Sequence, residues 1–475
     1  MSLDRLTSAQ AAERKVPLPT IFAFSTIGLP LSAYLVVAGV YLPRYYAGLG
    51  LALAAVGFAI FLVRVIDIAF DPLVSLAMDR TKTAIGRYRP WLIAGAPFLM
   101  IAAWKLLAPD GKPTAAYLIL WSLVAAAGGS MLALGVAAWQ AKLATSYNDR
   151  SRVYGWSTGI AVLGSLGILT LPQRLTHGQV VLGHAKSMPT IAVVLIIAIP
   201  IALLICTVFT PDKIAAGSTQ LRFSFRDMAK AISRPAMWRI IAADLLLTLG
   251  PGTTGPLYIY YFHDAKGFAQ TQVNDLLVFY IGAAFVGAPF WGWLAHQFGK
   301  HRTVQLACVC YAITQSALMA IPAGLFLPTV AGMFAVGFCA SAFLVLVRAM
   351  VADVTDEVRL EQKQDLTSLV FSMVTTTTKI GGSITVLVSF SILQMVGYNG
   401  KEGAINTPHA IFGLEMCYLF APIILVWAGG AMFFGYKLDA KRHGEIRQRL
   451  AELDFAAAEE SLTGPIEEPP AAAAE

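Results

Sequence analysis

Three charged residues stand in one unbroken apolar stretch, Arg64-Val-Ile-Asp67-Ile-Ala-Phe-Asp71-Pro72. Ionised side chains are costly inside hydrocarbon and seldom persist there without a task. Arg64 precedes Asp67 by three residues and Asp71 follows it by four, so one helical face carries all three. Two carboxylates one turn apart cannot both stay ionised there unless a cation or a positive side chain sits between them. The chemistry this spacing suggests is capture of a proton or a small cation. Counted by helical rise from the adjoining loop, Asp71 lies about 12 Å and Asp67 about 18 Å into the apolar layer. Lys379, which follows Thr375 to Thr378 and precedes Gly381-Gly382, lies about 21 Å deep by the same count. A pairing of Lys379 with Asp67 or Asp71 is therefore expected near the middle of a layer about 30 Å thick.

Other charges have shallower or less defined settings. Arg348, near Asp353 and Asp356, suits a salt-bridged gate, whereas Asp244 and Glu415 are open between structural and functional roles. The loop from Asp79-Arg80-Thr81-Lys82 to Gly86-Arg87-Tyr88-Arg89-Pro90 is too charged for lipid, and its Asp-Arg pairing suggests a latch on the same gate. Tyr34, Trp139, Tyr258, Tyr261, Trp291 and Trp293 could stack on sugar faces, although most such residues serve as core or interface belt. The five cysteines lie in apolar runs without a Cys-x-x-Cys spacing and read as small core residues.

These residues need apolar helices to position them. Of the 475 residues 57% are hydrophobic and only 13% charged, with a mean hydropathy of +0.65, while soluble chains carry about 25% charged residues. The chain reads as an integral membrane protein, and its net charge of +7 reflects topology rather than a nucleic-acid partner. Twelve apolar segments are long enough to span, at about 20–47, 51–78, 90–109, 113–144, 151–173, 188–210, 236–262, 270–296, 302–323, 327–352, 365–398 and 409–436. An even number puts both termini on one side. The loops and termini of that side hold 25 of the 35 Lys and Arg residues and the opposite loops 7, so both termini are expected in the cytoplasm. The polar first twenty residues lack the apolar core of a cleaved signal peptide.

Residues 211–235 form the longest polar connection and divide the chain into a segment 1–19, six helices over 20–210, six over 236–437 and a tail 438–475. Pro72 followed by Asp79 and Gly86-Arg87 is echoed by Pro289 followed by His296 and Gly299-Lys300. Two parallel six-helix repeats predict an all-α major facilitator architecture.

The pattern Arg64-x-x-Asp67-x-x-x-Asp71-Pro72, with Asp79-Arg80-Thr81, Gly86-Arg87-Tyr88-Arg89-Pro90-Trp91, Ala352-Asp353-x-x-Asp356 and Lys379 with Gly381, resembles the glycoside-pentoside-hexuronide:cation symporters, the melibiose-carrier family. The resemblance implies that Asp67 and Asp71 bind the coupling cation, that Arg64 and Lys379 neutralise and position them, and that a cation gradient drives import. It places the sugar between the first and fourth spans, at Ser32 and Gly135, where melibiose-type members carry aspartates; Tyr34, Trp139, Tyr258, Tyr261 and Thr375 are, by residue type alone, further candidate solute contacts. Phe70 stands where sodium users are polar, and a further hydroxyl position on the fourth span is Leu132. These departures put galactoside specificity in doubt and favour H+ over Na+. The expectation is a monomeric inner-membrane carrier that imports a sugar or sugar derivative and needs no cofactor beyond its coupling ion. A related carrier of an organic anion or lysophospholipid is the alternative. An intramembrane enzyme is disfavoured, because neither His-Glu-x-x-His nor Gly-x-Ser-x-Gly occurs.

Overall fold

The computed structural model describes residues 16–81, 83–143, 147–211, 235–362, 367–401, 403–436, 438, 442–446, 448–450 and 452–453. Twelve of its helices are long and apolar enough to cross a membrane. In chain order they are α1 (Leu18–Gly48), α2 (Leu53–Arg80), α3 (Arg89–Leu107), α4 (Ala115–Leu143), α5 (Tyr147–Leu175), α6 (Met188–Phe209), α7 (Pro235–Ile259, continued by a π-turn over Tyr260–Ala265), α8 (Gln270–Phe298), α9 (Lys300–Ala320), α10 (Phe326–Gln362), α11 (Thr367–Met395) and α12 (Pro408–Ala431).

Local chemistry explains where the helices begin, end and bend. Prolines sit in the first turn of α3, α6 and α12, where a missing N–H costs nothing. Gly299, at φ +85°, reverses the chain between α8 and α9 in a single residue, a conformation other residues resist. Within α1 the ladder widens to a π-turn over Val37–Tyr41, just ahead of Pro43, whose nitrogen cannot donate back to the preceding turn. The tenth helix runs to Gln362, ten residues past the apolar segment, because hydropathy marks where lipid ends and not where helical backbone ends. That extension carries Asp353 and Asp356 out of the apolar layer.

Helices α1–α6 pack chiefly among themselves, as do α7–α12; α2 against α11 is the largest contact between the two sets. Glycines permit the closest crossings. A Cβ on Gly128 of α4 would stand 2.8 Å from the Gly95 carbonyl of α3, and one on Gly287 of α8 would stand 2.7 Å from the Phe338 carbonyl of α10. Large apolar residues such as Leu73, Ile201, Leu327 and Phe434 face outward, as a lipid-facing surface requires.

The first and last described residues lie on one face, here called the terminal face, and the opposite one is the far face. Among the described residues, each hydrogen bond or ion pair joining the two sets lies at the middle of the layer or toward the far face. Tyr41 donates to Asn274 Oδ1 at 2.7 Å, Arg44 to Asp264 Oδ1 at 2.9 Å, and the Ala54 N–H to Gln394 Oε1 at 3.0 Å. Asn274 also donates to the Leu182 carbonyl at 2.9 Å. The molecule is tied shut on the far face.

Candidate functional site

At the middle of the layer Lys379 of α11 reaches across to α2. Its Nζ lies 2.9 Å from Asp67 Oδ2 and also donates to Asp71 Oδ2. Arg64 Nη1 stands 3.7 Å from Asp67, one turn earlier on the same helix. Ser130 of α4 donates to Asp67 Oδ1 at 2.8 Å. Asp67 is 3% exposed, and burial of its charge is offset by Lys379, Arg64 and the Ser130 hydroxyl together. Two carboxylates facing one ammonium and one guanidinium make the cluster neutral as a whole. Asp71 Oδ1 is buried and accepts no hydrogen bond, which leaves one carboxylate oxygen open to a proton or ion.

Beside the cluster is a cavity of about 240 Å³ between α1, α2 and α4. Tyr34, Arg64, Asp67, Ser122, Ser130 and Lys379 supply its polar wall, and Leu31, Leu35, Ala38, Leu42, Ile60 and Val63 much of its apolar wall. The Ser122 hydroxyl is buried without a partner. Phe70 is not among the lining residues. Ser122 and Ser130 were missed in the sequence because hydroxyls are frequent in membrane helices; their eight-residue spacing, which puts them on one face of α4, was the available signal.

Several expected solute contacts are elsewhere. Ser32 donates to the Ala161 and Leu29 carbonyls, so its hydroxyl is used in packing α1 on α5. Gly135 faces α3, where a Cβ would meet Leu92 Cδ1 at 2.5 Å. The helical rotation that turns Gly135 from the cavity also buries Leu132 against Gly95, and the hydroxyl that reaches the carboxylates is Ser130. Trp139 is buried near the terminal face, donates to the Pro211 carbonyl at 3.2 Å and packs edge-on against Phe24. Tyr258 lines a separate cavity of about 200 Å³ and donates to the Val273 carbonyl at 2.8 Å. Tyr261 stacks on Tyr418 with centroids 4.2 Å apart. Trp291 donates to the Phe338 carbonyl, and Trp293 is 57% exposed on the outer surface. Of the aromatic set, Tyr34 alone lines the cavity by the cluster. The side chain of Thr375 lies outside the described residues.

The expected gate residues do not bridge the two sets among the described residues. Arg348 donates to Thr378 Oγ1 at 3.3 Å rather than pairing with Asp353 or Asp356, and Thr378 donates to the buried Asp244 at 2.9 Å. Four residues separate Arg348 from the end of the apolar run, enough to keep it inside with Asp244 while Asp353 emerges. Asp353 is held by Lys300 at 2.6 Å, and His443 of the tail lies 3.0 Å from Asp356 and 3.5 Å from Asp353. Arg87 donates back to the Met78 carbonyl at 3.3 Å, and Arg80 is exposed. The side chain of Asp79 lies outside the described residues. Glu415 is half-buried on α12.

Residues 23–440 match the family described as MFS/sugar transport protein. The chain is 24% identical over 430 residues to the human sodium-dependent lysophosphatidylcholine symporter 1, covering 83% of this chain and 78% of the relative. It is 23% identical over 440 residues to the isoprimeverose transporter of Lactiplantibacillus pentosus, covering 89% of each. The solved nucleoside transporter NupG superposes with a TM-score of 0.63 at 14% identity, over 88% of this chain and 99% of that one, and so shares the fold. The twelve helices thus form a major facilitator fold. By a match that runs through nearly all of them, the chain belongs to the MFS/sugar transport protein family and is a membrane transporter, not an enzyme.

Proposed function

We propose that the protein is a cation-coupled symporter of a sugar or sugar derivative, with H+ as the coupling ion, captured at Asp67 and Asp71. The observation that carries this reading is the Lys379 ammonium shared between the two carboxylates across the interface of the helix sets. Lys379 occupies the position of a cation and bolts the sets together at mid-depth. A proton arriving at Asp71 or Asp67 takes away one of the ammonium's two partners and loosens the bolt. Solute binding in the adjoining cavity and proton capture are then linked, and each raises the affinity for the other. A sodium ion would need several further oxygen ligands; among the described residues Ser130 supplies the one neutral side-chain oxygen bonded to the pair. With the terminal face in the cytoplasm, as the Lys and Arg bias favours, the arrangement closed on the far face is the inward-facing one.

Uptake into proteoliposomes tests the coupling. With an imposed pH gradient the wild type accumulates solute uphill, and Asp67→Asn and Asp71→Asn each reduce this to equilibration. Uphill accumulation by either variant overturns the assignment.

One observation favours a second reading of the solute. The apolar wall from Leu31 to Val63 suits an amphiphile with a polar head against Lys379, and the human relative is a lysophosphatidylcholine symporter. Counterflow with labelled monosaccharides, glycosides and lysophosphatidylcholine separates the two, since the true solute alone exchanges.

A further inference from the structure

We propose that His263 is a proton-operated release for the ionic latch that closes the far face. The latch is Arg44 of α1 on Asp264 of α7, an ion pair between the two helix sets. It rests on a single nitrogen. Arg44 Nη2 makes the 2.9 Å contact to Asp264 Oδ1, while Nη1 is buried without a hydrogen-bond partner. Beneath it the guanidinium lies over the Tyr260 ring at 4.8 Å.

His263 Nδ1 stands 3.2 Å from the same Arg44 Nη2 and 2.6 Å from the same Asp264 Oδ1. One ring nitrogen cannot serve both contacts as hydrogen bonds. Unprotonated, Nδ1 is an acceptor and takes an N–H from Arg44; protonated, it is a donor and gives its N–H to the carboxylate. In the neutral Nε2–H tautomer the bare Nδ1 takes the Arg44 N–H and adds a second tie between α1 and α7, whereas in the neutral Nδ1–H tautomer it already donates to Asp264 and only the added positive charge then acts on Arg44. The imidazolium repels Arg44 and gives Asp264 a counter-ion on its own helix. That pair lies entirely within α7 and survives separation of the helix sets, whereas Arg44–Asp264 does not. Binding a proton at His263 thus lowers the cost of opening the far face.

The surroundings fit this exchange. His263 is 44% exposed and borders a far-face cavity of about 480 Å³, so protons reach it from that side. Among the described residues, the other charged or titratable groups facing the latch are Tyr398, which donates to Asp264 Oδ2, with His184, Tyr45 and Lys401 on the cavity wall. None of them supplies a second carboxylate to hold Arg44 once Asp264 turns to His263. The neutral ties Tyr41–Asn274 and Ala54–Gln394 remain, so protonation biases the gate without opening it alone.

The test uses spin labels at Lys112→Cys and Ala323→Cys, on far-face connections of the two sets, with double electron–electron resonance on the full-length protein in lipid nanodiscs at pH 8 and 5.5. Ordinary imidazoles titrate across this interval. The separated population should rise about two- to fivefold on acidification, the size that weakening one partly exposed ion pair supports. His263→Gln should abolish the response, and His263→Lys, a permanent cation, should hold the raised population at both pH values. A response that persists in His263→Gln, or its absence from the wild type, overturns the proposal. The measurement is repeated with Asp67→Asn and Asp71→Asn combined. A retained response places the proton at the latch even if the coupling assignment fails, and its loss there refutes the role of His263.

Discussion

At the scale of single residues, the neutrality of the Asp67, Asp71, Arg64 and Lys379 cluster determines what substitution does. Lys379→Met removes the ammonium that both carboxylates share and leaves a buried charge uncompensated, a change that costs on the order of 3 kcal/mol. Thermal unfolding in detergent should show this loss, and adding Asp71→Asn should recover part of it, because the second change deletes the charge the first one orphaned. Ser130→Ala takes one hydrogen bond from ionised Asp67, worth about 1.5–3 kcal/mol. Uphill uptake under a fixed imposed pH gradient should fall, because the hydroxyl helps hold the carboxylate proposed to capture the proton. Unchanged uptake would mean that the hydroxyl has no part in proton capture.

At the scale of helices, glycine contacts and the tail make separate demands. Gly128→Leu drives a side chain into the α3 backbone at Gly95 and Leu99, where even a Cβ would sit 2.7 Å from the Leu99 nitrogen. Overpacking of this kind costs about 1–3 kcal/mol, read as a lower unfolding temperature, while the same change at Gly129, which meets nothing within 4 Å, should be tolerated. On the terminal face the tail docks through Ile446 and Leu450, at 6% and 8% exposure, with Arg442 on Glu357 and His443 beside Asp353 and Asp356. Ile446→Asp should free this segment, seen as faster amide exchange over residues 442–453 with the membrane helices unaffected. The π-turns near the far ends of α1 and α7, the first helices of the two sets, each sit beside a far-face tie: Tyr41 in one, His263 and Asp264 in the other.

At the scale of the whole molecule, transport requires the far face to part. Ala54→Cys with Gln394→Cys, bridged by a short bis-methanethiosulfonate that forms a disulfide to each thiol, should abolish uptake, and reduction should restore it. Uptake that survives complete cross-linking would show that solute does not pass between α2 and α11 on that side.

The sequence by itself determined the membrane class, the number of spans and the placement of Asp67, Asp71 and Lys379 inside long apolar helices, because hydropathy and helical rise depend on short-range order. It also determined that the carboxylates needed a partner, since two buried charges on one helical face must be balanced somewhere. Lys379, matched in depth, was the expected partner and is the one found; only the tertiary structure decided the other side-chain partners. Ser130 rather than Leu132 reaches Asp67, Arg348 turns to Thr378 rather than to Asp353, and Ser32 and Gly135 serve helix packing. Each depends on the rotation of one helix about its axis against its neighbours. A turn of about 100° per residue moves a side chain from cavity to interface, and apolar sequence on every face leaves that rotation to packing. The far-face latch of Arg44, His263 and Asp264 was illegible for the same reason: its two helices are some 220 residues apart, and only their packing brings one guanidinium nitrogen to both side chains.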